Sequence, residues 1–239
     1  MMSLGTFYGV GLGPGDPELL TLKAARVLRE VDVVFVSSQA RSGRSLALEI
    51  AEPHLPPGSR PVPLPFTHTF EGVEDRRAHR ENGARVLEVL RRPASCAFLT
   101  LGDPMTYSTF TYLLEVVREA EPAAPVEVVP GITSYSAAAA AALLPLAEGD
   151  ETIAVVSAAQ GTESLERALE LSDNVVVMKS DRRAEEVCEL LEARGLAGAS
   201  VFSAECSRPG GVLLRDLRAV RELGPRYMSL FLVKRGARP

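Results

Sequence analysis

The sequence predicts an α/β protein built in two halves, the second closing on antiparallel strands. Three observations predict it. Short β-branched apolar runs alternate with longer amphipathic ones over residues 6–195, the pattern of strands covered by helices. Gly, Pro and Asp punctuate the ends of three of the apolar runs. Beyond residue 195 the rhythm changes to "ASVFSAEC", "GGVLLRDL" and "YMSLFLVKR". These runs have short turns and little room for helices, which implies antiparallel pairing.

Taken in order, "TFYGVGL" (6–12) reads as a strand and "PELLTLKAARVLRE" (17–30) as a helix with Leu and Ala on one face. "VDVVFVS" (31–37) is too short and too β-branched for a helix, hence a buried strand. "RSLALEIAE" (44–52) is helical, and Pro53, Pro56, Pro57, Pro61, Pro63 and Pro65 then impose an irregular stretch. "EDRRAHRENGARVLEVLRR" (74–92) is a charged helix with Val86, Leu87 and Leu90 turned inward. The strand "CAFLTLG" (96–102) and the helix "STFTYLLEVVREA" (108–120) complete the first half. "EPAAP" (121–125) breaks the pattern and sets the expected boundary, giving domains 1–120 and 125–239. The second half alternates strands at 126–131, 152–158 and 174–180 with helices at 134–144, 162–171 and 183–195. Its run of alanines, 137–142, suits a helix packed closely on a sheet.

Composition narrows the function. A net charge of −5 argues against a nucleic-acid partner, which normally selects a basic excess or stripe. Cys96, Cys188 and Cys206 are widely spaced and sit in or beside apolar runs, as reduced core thiols of a cytoplasmic protein do. His54, His68 and His79 show no ligand-pair spacing, so no protein-bound metal is expected. The opening residues have neither a basic segment nor an apolar core of a signal peptide. No apolar run nears the roughly 20 residues of a membrane span.

"GVGLGPGDP" (9–17) lies between a strand and a helix, where phosphate-binding loops occur. The dinucleotide fingerprint needs a third glycine five positions after the first. From Gly9, Gly11 and Gly13 that position holds Pro14, Asp16 and Glu18, so all three registers fail. No Walker lysine follows either. Asp16 and Glu18 lie where a pyrophosphate would sit, and their charge suits a cationic or zwitterionic ligand better. Asp16 also fits as the cap of a helix whose first residue is Pro17. "GDPMTYST" (102–109) and "VPGITSYS" (129–136) punctuate two further strand ends. Loops at strand carboxyl ends share one sheet edge, so the three loops point to a cleft between the halves.

"GVGLGPGDPELLTLKAARVLREVDVV", "GDPMTYST", "VPGITSYSAAAA" and "VVVMKS" fall in order across most of the chain. Together they resemble the signatures of the tetrapyrrole (corrin and porphyrin) methylase family. "GDPMTYSTFTYL", "PLAEGDETIAVV" and "YMSLFLVKR" look most like its branch that methylates C20 of precorrin-2 or its cobalt complex, cobalt-factor II. The resemblance implies two α/β domains with the cofactor cleft between them, a homodimer, and S-adenosylmethionine as methyl donor, leaving S-adenosylhomocysteine. By position it places Pro14 beside the cofactor. Gly102, Asp103 and Met105, joined by Thr133 and Ser134, hold its methionine part and ribose, and Met178 and Ala204 face the adenine. Where relatives often carry an acidic-basic pair and a small hydroxyl residue, this chain reads Glu205-Cys206-Ser207-Arg208.

Methyl transfer from a sulfonium to an enamine-like carbon needs alignment and a dry site more than a base. No catalytic acid or base is therefore assigned. The many carboxylates of the implied substrate call for Arg and Ser nearby. Ser37, Ser38, Arg41 and Arg44 are the first candidates, Arg76, Arg77 and Arg80 the second, and Tyr107 suits stacking on the macrocycle. Two alternatives stay open at this point. One is another methylase of the same fold, acting at a different ring position, on a modified histidine as in diphthine synthesis, or on ribosomal RNA. The other is a non-catalytic nucleotide-binding sensor.

Overall fold

The structure, a computed structural model, describes residues 4–38, 45–66, 76–92 and 94–235. The chain divides into two compact units, Met1–Thr133 and Ser134–Pro239.

The first unit holds five strands: β1 (Phe7–Gly11), β2 (Val33–Ser38), β3 (Val62–Pro65), β4 (Cys96–Thr100) and β5 (Val126–Val129). They pair in the order β3-β2-β4-β1-β5, all parallel. Each crossover is a helix: α1 (Leu22–Glu30), α2 (Leu46–Ala51), α3 (Arg76–Leu90) and α4 (Phe110–Ala120). A parallel sheet is covered on both faces, and alternate strand residues serve the two layers. Phe7, Phe35, Leu64 and Phe98 pack with Val86, Leu87 and Leu90 of α3 and Phe110, Leu113 and Val117 of α4. On the other face Val10, Val34, Val36 and Leu99 pack with Ala24, Val27 and Leu28 of α1 and Ala47 and Ile50 of α2.

Three expectations change here. The proline-rich stretch contains β3, which was read as irregular. Prolines are tolerated on an edge strand because a lost N–H there breaks no ladder bond. α3 supplies donors to the same edge, Arg85 to the Pro63 carbonyl at 2.9 Å and Asn82 to that of Pro65 at 2.7 Å. The boundary moves from 121–125 to 133/134. "EPAAP" is a turn within the first unit, closed by Ala124 N–H on the Glu121 carbonyl at 2.9 Å with Ala124 itself in the core, and β5 beyond it pairs with β1. The helix read from Pro17 begins instead at Leu22. Residues Pro17–Leu19 form a single 3₁₀ turn capped by Asp16, whose carboxylate accepts from Glu18 N–H at 2.9 Å, and Thr21 caps α1.

The second unit carries β6 (Ile153–Ser157), β7 (Asn174–Met178), β8 (Ser200–Ala204), β9 (Val212–Leu214) and β10 (Ser229–Lys234) in the order β6-β7-β10-β8-β9. β6 and β7 are parallel, and β10 runs antiparallel to both β7 and β8. The antiparallel end is as the sequence predicts. The alanine helix α5 (Ser134–Ala142) lays Ala138, Ala139 and Ala142 on Val176, Val201, Leu230 and Leu232. α6 (Glu163–Leu171), α7 (Ala184–Ala193) and α8 (Leu217–Leu223) cover the other face. α8 is a helix where little room was expected. It spans two turns, capped by Asp216 through Arg218 N–H at 2.9 Å and ended by Gly224 at φ 69°.

Candidate functional site: the carboxyl edge of the parallel sheet

β4, β1 and β5 are neighbours in one parallel sheet, so their carboxyl ends deliver the three punctuated loops to one place. All three lie in the first unit; the third is not beyond a boundary, as the 121–125 break implied. Gly13 and Gly102 form an isolated antiparallel bridge, with Gly102 N–H on the Gly13 carbonyl at 2.7 Å and the reverse bond at 3.3 Å. The Gly11 and Gly131 backbones are packed against each other and against Gly102. A Cβ on Gly131 would lie 2.0 Å from the Gly102 carbonyl oxygen, and one on Gly11 would lie 2.6 Å from Gly131 N. No side chain fits at either position.

Asp103 ties the assembly together. One carboxylate oxygen accepts from Met105 N–H at 2.9 Å, and the other accepts from Gly131 N–H at 3.1 Å, across to the next loop. The first oxygen also accepts from the Thr106 hydroxyl at 3.5 Å; a carboxylate offers about four lone-pair directions, so the oxygen facing Gly131 retains capacity for a further donor. Behind it, Thr100 and Ser108 share a buried hydroxyl contact of 2.8 Å, and Ser108 Oγ accepts from Phe110 N–H at the start of α4. The loop backbones are packed while three large apolar side chains around Asp103 stand out. Met105 is 55% exposed, Tyr107 46% and Ile132 36%. Tyr107 is also held at φ 50°, a left-handed conformation that costs a non-glycine residue about 1–2 kcal/mol.

The sequence-derived residues distribute as follows. Gly102, Asp103, Met105 and Tyr107 belong to the β4 loop, Pro14 is buried in the β1 loop, and Thr133 ends the β5 loop, with Ser134 opening α5. Ser37 and Ser38 end β2, beside β4 on the same edge. Arg41 and Arg44 fall outside the described residues. Arg76, Arg77 and Arg80 lie on an exposed face of α3, where Arg77 pairs with Glu81 at 2.7 Å. Ile132 was missed: an apolar residue in a loop carries no signal that tells display from burial.

Met178 and Ala204 form a separate edge in the second unit. They end β7 and β8 on either side of β10, Met178 opposite Leu230 and Ala204 opposite Ser229. Four residues next to these ends have left-handed backbones: Lys179 at φ 55°, Glu205 at 50°, Ser207 at 64° and Met228 at 56°. Such strain collects where the surroundings enforce it, often at ligand sites. Glu205 N–H bonds the Met228 carbonyl at 3.3 Å, and the Ser180 and Ser229 hydroxyls meet at 3.0 Å in the interior. Among the described residues no group of three or more His, Cys, Asp or Glu converges as metal ligands do, and no helix is long and apolar enough to cross a membrane. Burial pushes the Cys96 thiol up to about 12, with Asp32 adding to the rise, and the Cys188 thiol up to about 11; neither is a nucleophile.

Comparison with known proteins identifies the family. The chain is 38% identical over 248 residues to the cobalamin biosynthesis protein CobIJ of Mycobacterium tuberculosis, an alignment spanning 100% of this chain and 47% of that protein. The chain thus spans about half the length of its mycobacterial relatives. It is 32% identical to the cobalt-precorrin-2 C(20)-methyltransferase of Salmonella typhimurium over 97% of both chains. A solved structure of uroporphyrin-III C-methyl transferase from Thermus thermophilus, complexed with S-adenyl homocysteine, superposes with a TM-score of 0.68 at 28% identity, covering 96% of this chain and 97% of that one. Residues 6–217 match the model of the Tetrapyrrole (Corrin/Porphyrin) Methylases, and the chain belongs to that family.

Proposed function

We propose that the protein transfers a methyl group from S-adenosylmethionine to C20 of precorrin-2 or cobalt-factor II, a step of corrin-ring synthesis. The observation that carries the reading is the cradle at the first sheet's carboxyl edge: glycine backbones too close for any Cβ, clamped by one carboxylate. This packing holds the three loop backbones and Asp103 together in one fixed edge. The donor set fits a zwitterionic nucleoside. Asp103 offers acceptor capacity to an ammonium or ribose hydroxyl, with Gly102 and Met105 in the same loop; Thr133 and Ser134 are proposed to join them. Met178 and Ala204 are proposed to meet the adenine. When bound, S-adenosylmethionine supplies an electrophilic methyl group.

The remaining work of the residues is placement. Pro14 stiffens a glycine-flanked turn. The exposed Tyr107, Met105 and Ile132 present apolar area to a flat macrocycle and keep water from the reacting carbon. Ser37 and Ser38, with Arg41 and Arg44, are proposed to meet the substrate carboxylates. The protein is proposed to act as a cytoplasmic homodimer, a setting that the unpaired buried thiols suit. Parallel incubation with precorrin-2 and cobalt-factor II tests the reaction, with the new methyl located by mass and NMR. Methylation at another carbon, or of neither compound, overturns the assignment. Thermal shift tests the cofactor: S-adenosylhomocysteine is expected to raise the melting temperature while NAD and ATP do not.

A further inference from the structure

The turn between Leu12 and Leu19 is pliable in itself. Gly13 at φ 76° and Gly15 at φ 154° flank Pro14, and glycine loses more freedom on ordering than any other residue. Upstream the turn is fixed by the paired bonds to Gly102. Downstream it is fixed at Pro17, whose carbonyl accepts from Leu20 N–H at 3.3 Å and also from His54 Nε2 at 3.1 Å. A carbonyl oxygen only accepts, so Nε2 carries the proton in this contact. His54 ends the 3₁₀ turn Glu52–His54 that follows α2. That turn touches α1, and the adjoining Leu55 packs into the same apolar layer as Leu12 and Leu20. The imidazole therefore reaches the glycine turn from a backbone that the core holds still.

We infer that His54 is a positioning residue: by donating from Nε2 to the Pro17 carbonyl it fixes the 13–19 turn, and with it Pro14, as one wall of the site. The inference rests on the reading that this turn borders the cofactor. His54 stands 37 residues from its acceptor, touches none of the loops after β4 or β5 through any described hydrogen bond, and acts only through the turn.

Three variants test it. The side-chain amide nitrogen of glutamine stands as many bonds from Cα as Nε2 does, and that of asparagine one bond fewer. His54→Ala is expected to weaken S-adenosylhomocysteine binding roughly three- to tenfold, the equivalent of one ordinary hydrogen bond. His54→Gln restores most of the affinity and His54→Asn does not. Amide exchange is the second readout: peptides covering 13–20 exchange faster in the Ala and Asn variants and at the wild-type rate in the Gln variant. A purely structural role would instead track the melting temperature and ignore the difference between Gln and Asn. Wild-type affinity and wild-type exchange in His54→Ala overturn the inference, as does equal behaviour of the Gln and Asn variants. Wild-type protein that does not bind S-adenosylhomocysteine overturns the cofactor reading instead, and the exchange comparison then decides the anchor by itself.

Discussion

The two sheets solve the same problem with opposite chemistry. Each must turn the chain sharply along one edge. The first unit does so mainly with glycine, Tyr107 at φ 50° being the exception: Gly13 and Gly102 take positive φ, and Gly11 and Gly131 leave room for backbones that meet directly. The second unit does so with Lys179, Glu205, Ser207 and Met228, accepting left-handed strain at residues that keep their side chains. The difference shows what each edge is made for. Where main chain must approach main chain, side chains are excluded. Where side chains have work to do at a turn, strain of about 1–2 kcal/mol per residue is the cost.

Gly131→Ala breaks the first edge most severely. The new methyl meets a backbone carbonyl at 2.0 Å, and backbone yields only by moving the loop. A stability loss of about 3 kcal/mol in urea unfolding is expected, with S-adenosylhomocysteine binding lost in calorimetry. Gly198→Ala is the control, since a Cβ there meets nothing within 4 Å; it should leave both measurements unchanged. If the two variants behave alike, close approach is not what the glycine provides.

Asp103→Ala comes next. It removes an acceptor from Gly131 N–H and Met105 N–H together with the carboxylate proposed to meet the ligand. Hydrogen bonds to a charged group contribute about 1.5–3 kcal/mol, so the dissociation constant of S-adenosylhomocysteine is expected to rise at least tenfold. Asp103→Asn keeps one acceptor but sets its NH2 against the other N–H, so it loses one of the two loop bonds together with the charge. Its affinity is expected to fall between those of the wild type and the Ala variant. Unchanged binding in both removes Asp103 from the cofactor site.

Much of this was legible because burial and turn chemistry leave strong local marks. β4 is buried at all five positions, and such a run has no alternative reading. The candidate site was marked by glycine at every second position from Gly9 to Gly15 and by the single glycines Gly102 and Gly131 after β4 and β5. β3 was hidden by its prolines, whose tolerance depends on an edge that only the assembled sheet defines. α8 was hidden by length, although its Asp216 cap, Leu217/Val220 spacing and Gly224 stop were all present. The domain boundary was misplaced because a proline-rich turn and a linker share one composition. His54 was illegible for a deeper reason: its partner is 37 residues away, and no local pattern encodes a tertiary contact.

A mirrored pair of substitutions sharpens the comparison with a smaller effect. Gly102→Ala places a side chain at φ 66° with only the Ile132 carbonyl oxygen in ordinary contact at 3.9 Å, so backbone strain dominates and stability falls about 1–2 kcal/mol. Lys179→Gly relieves the same strain in the second unit but adds unfolded-state freedom of about 0.5–1 kcal/mol. A net gain below about 1 kcal/mol is expected in urea unfolding. A clear loss at position 179 would mean that the lysine side chain contributes contacts worth more than its strain.

The smallest effect lies at the end of the second sheet opposite Met178 and Ala204. Lys234, closing β10, bonds Glu151 at 2.7 Å and Glu148 at 2.9 Å, and Glu151 also accepts from Asn174 at 3.0 Å. The hydrogen bonds from Lys234 and then Asn174 hold the Glu151 carboxyl below the usual range, and those to Glu151 and Glu148 raise the Lys234 ammonium. A depressed carboxyl stabilises the fold above its ordinary value of 4.5 and loses that contribution as pH falls through the lower folded value. A raised ammonium contributes below 10.5 and loses it as pH rises through the higher folded value. The pair therefore contributes across the whole neutral range, and its pH dependence appears only at the margins. Glu151→Gln is expected to lower the neutral plateau and to flatten the acid limb of the stability-against-pH curve below pH 4.5 by the same amount, since what is lost on acidification is what the carboxylate contributes at neutral pH. A curve of unchanged slope would show that other carboxylates govern acid unfolding, and that this end of the sheet is held by packing alone.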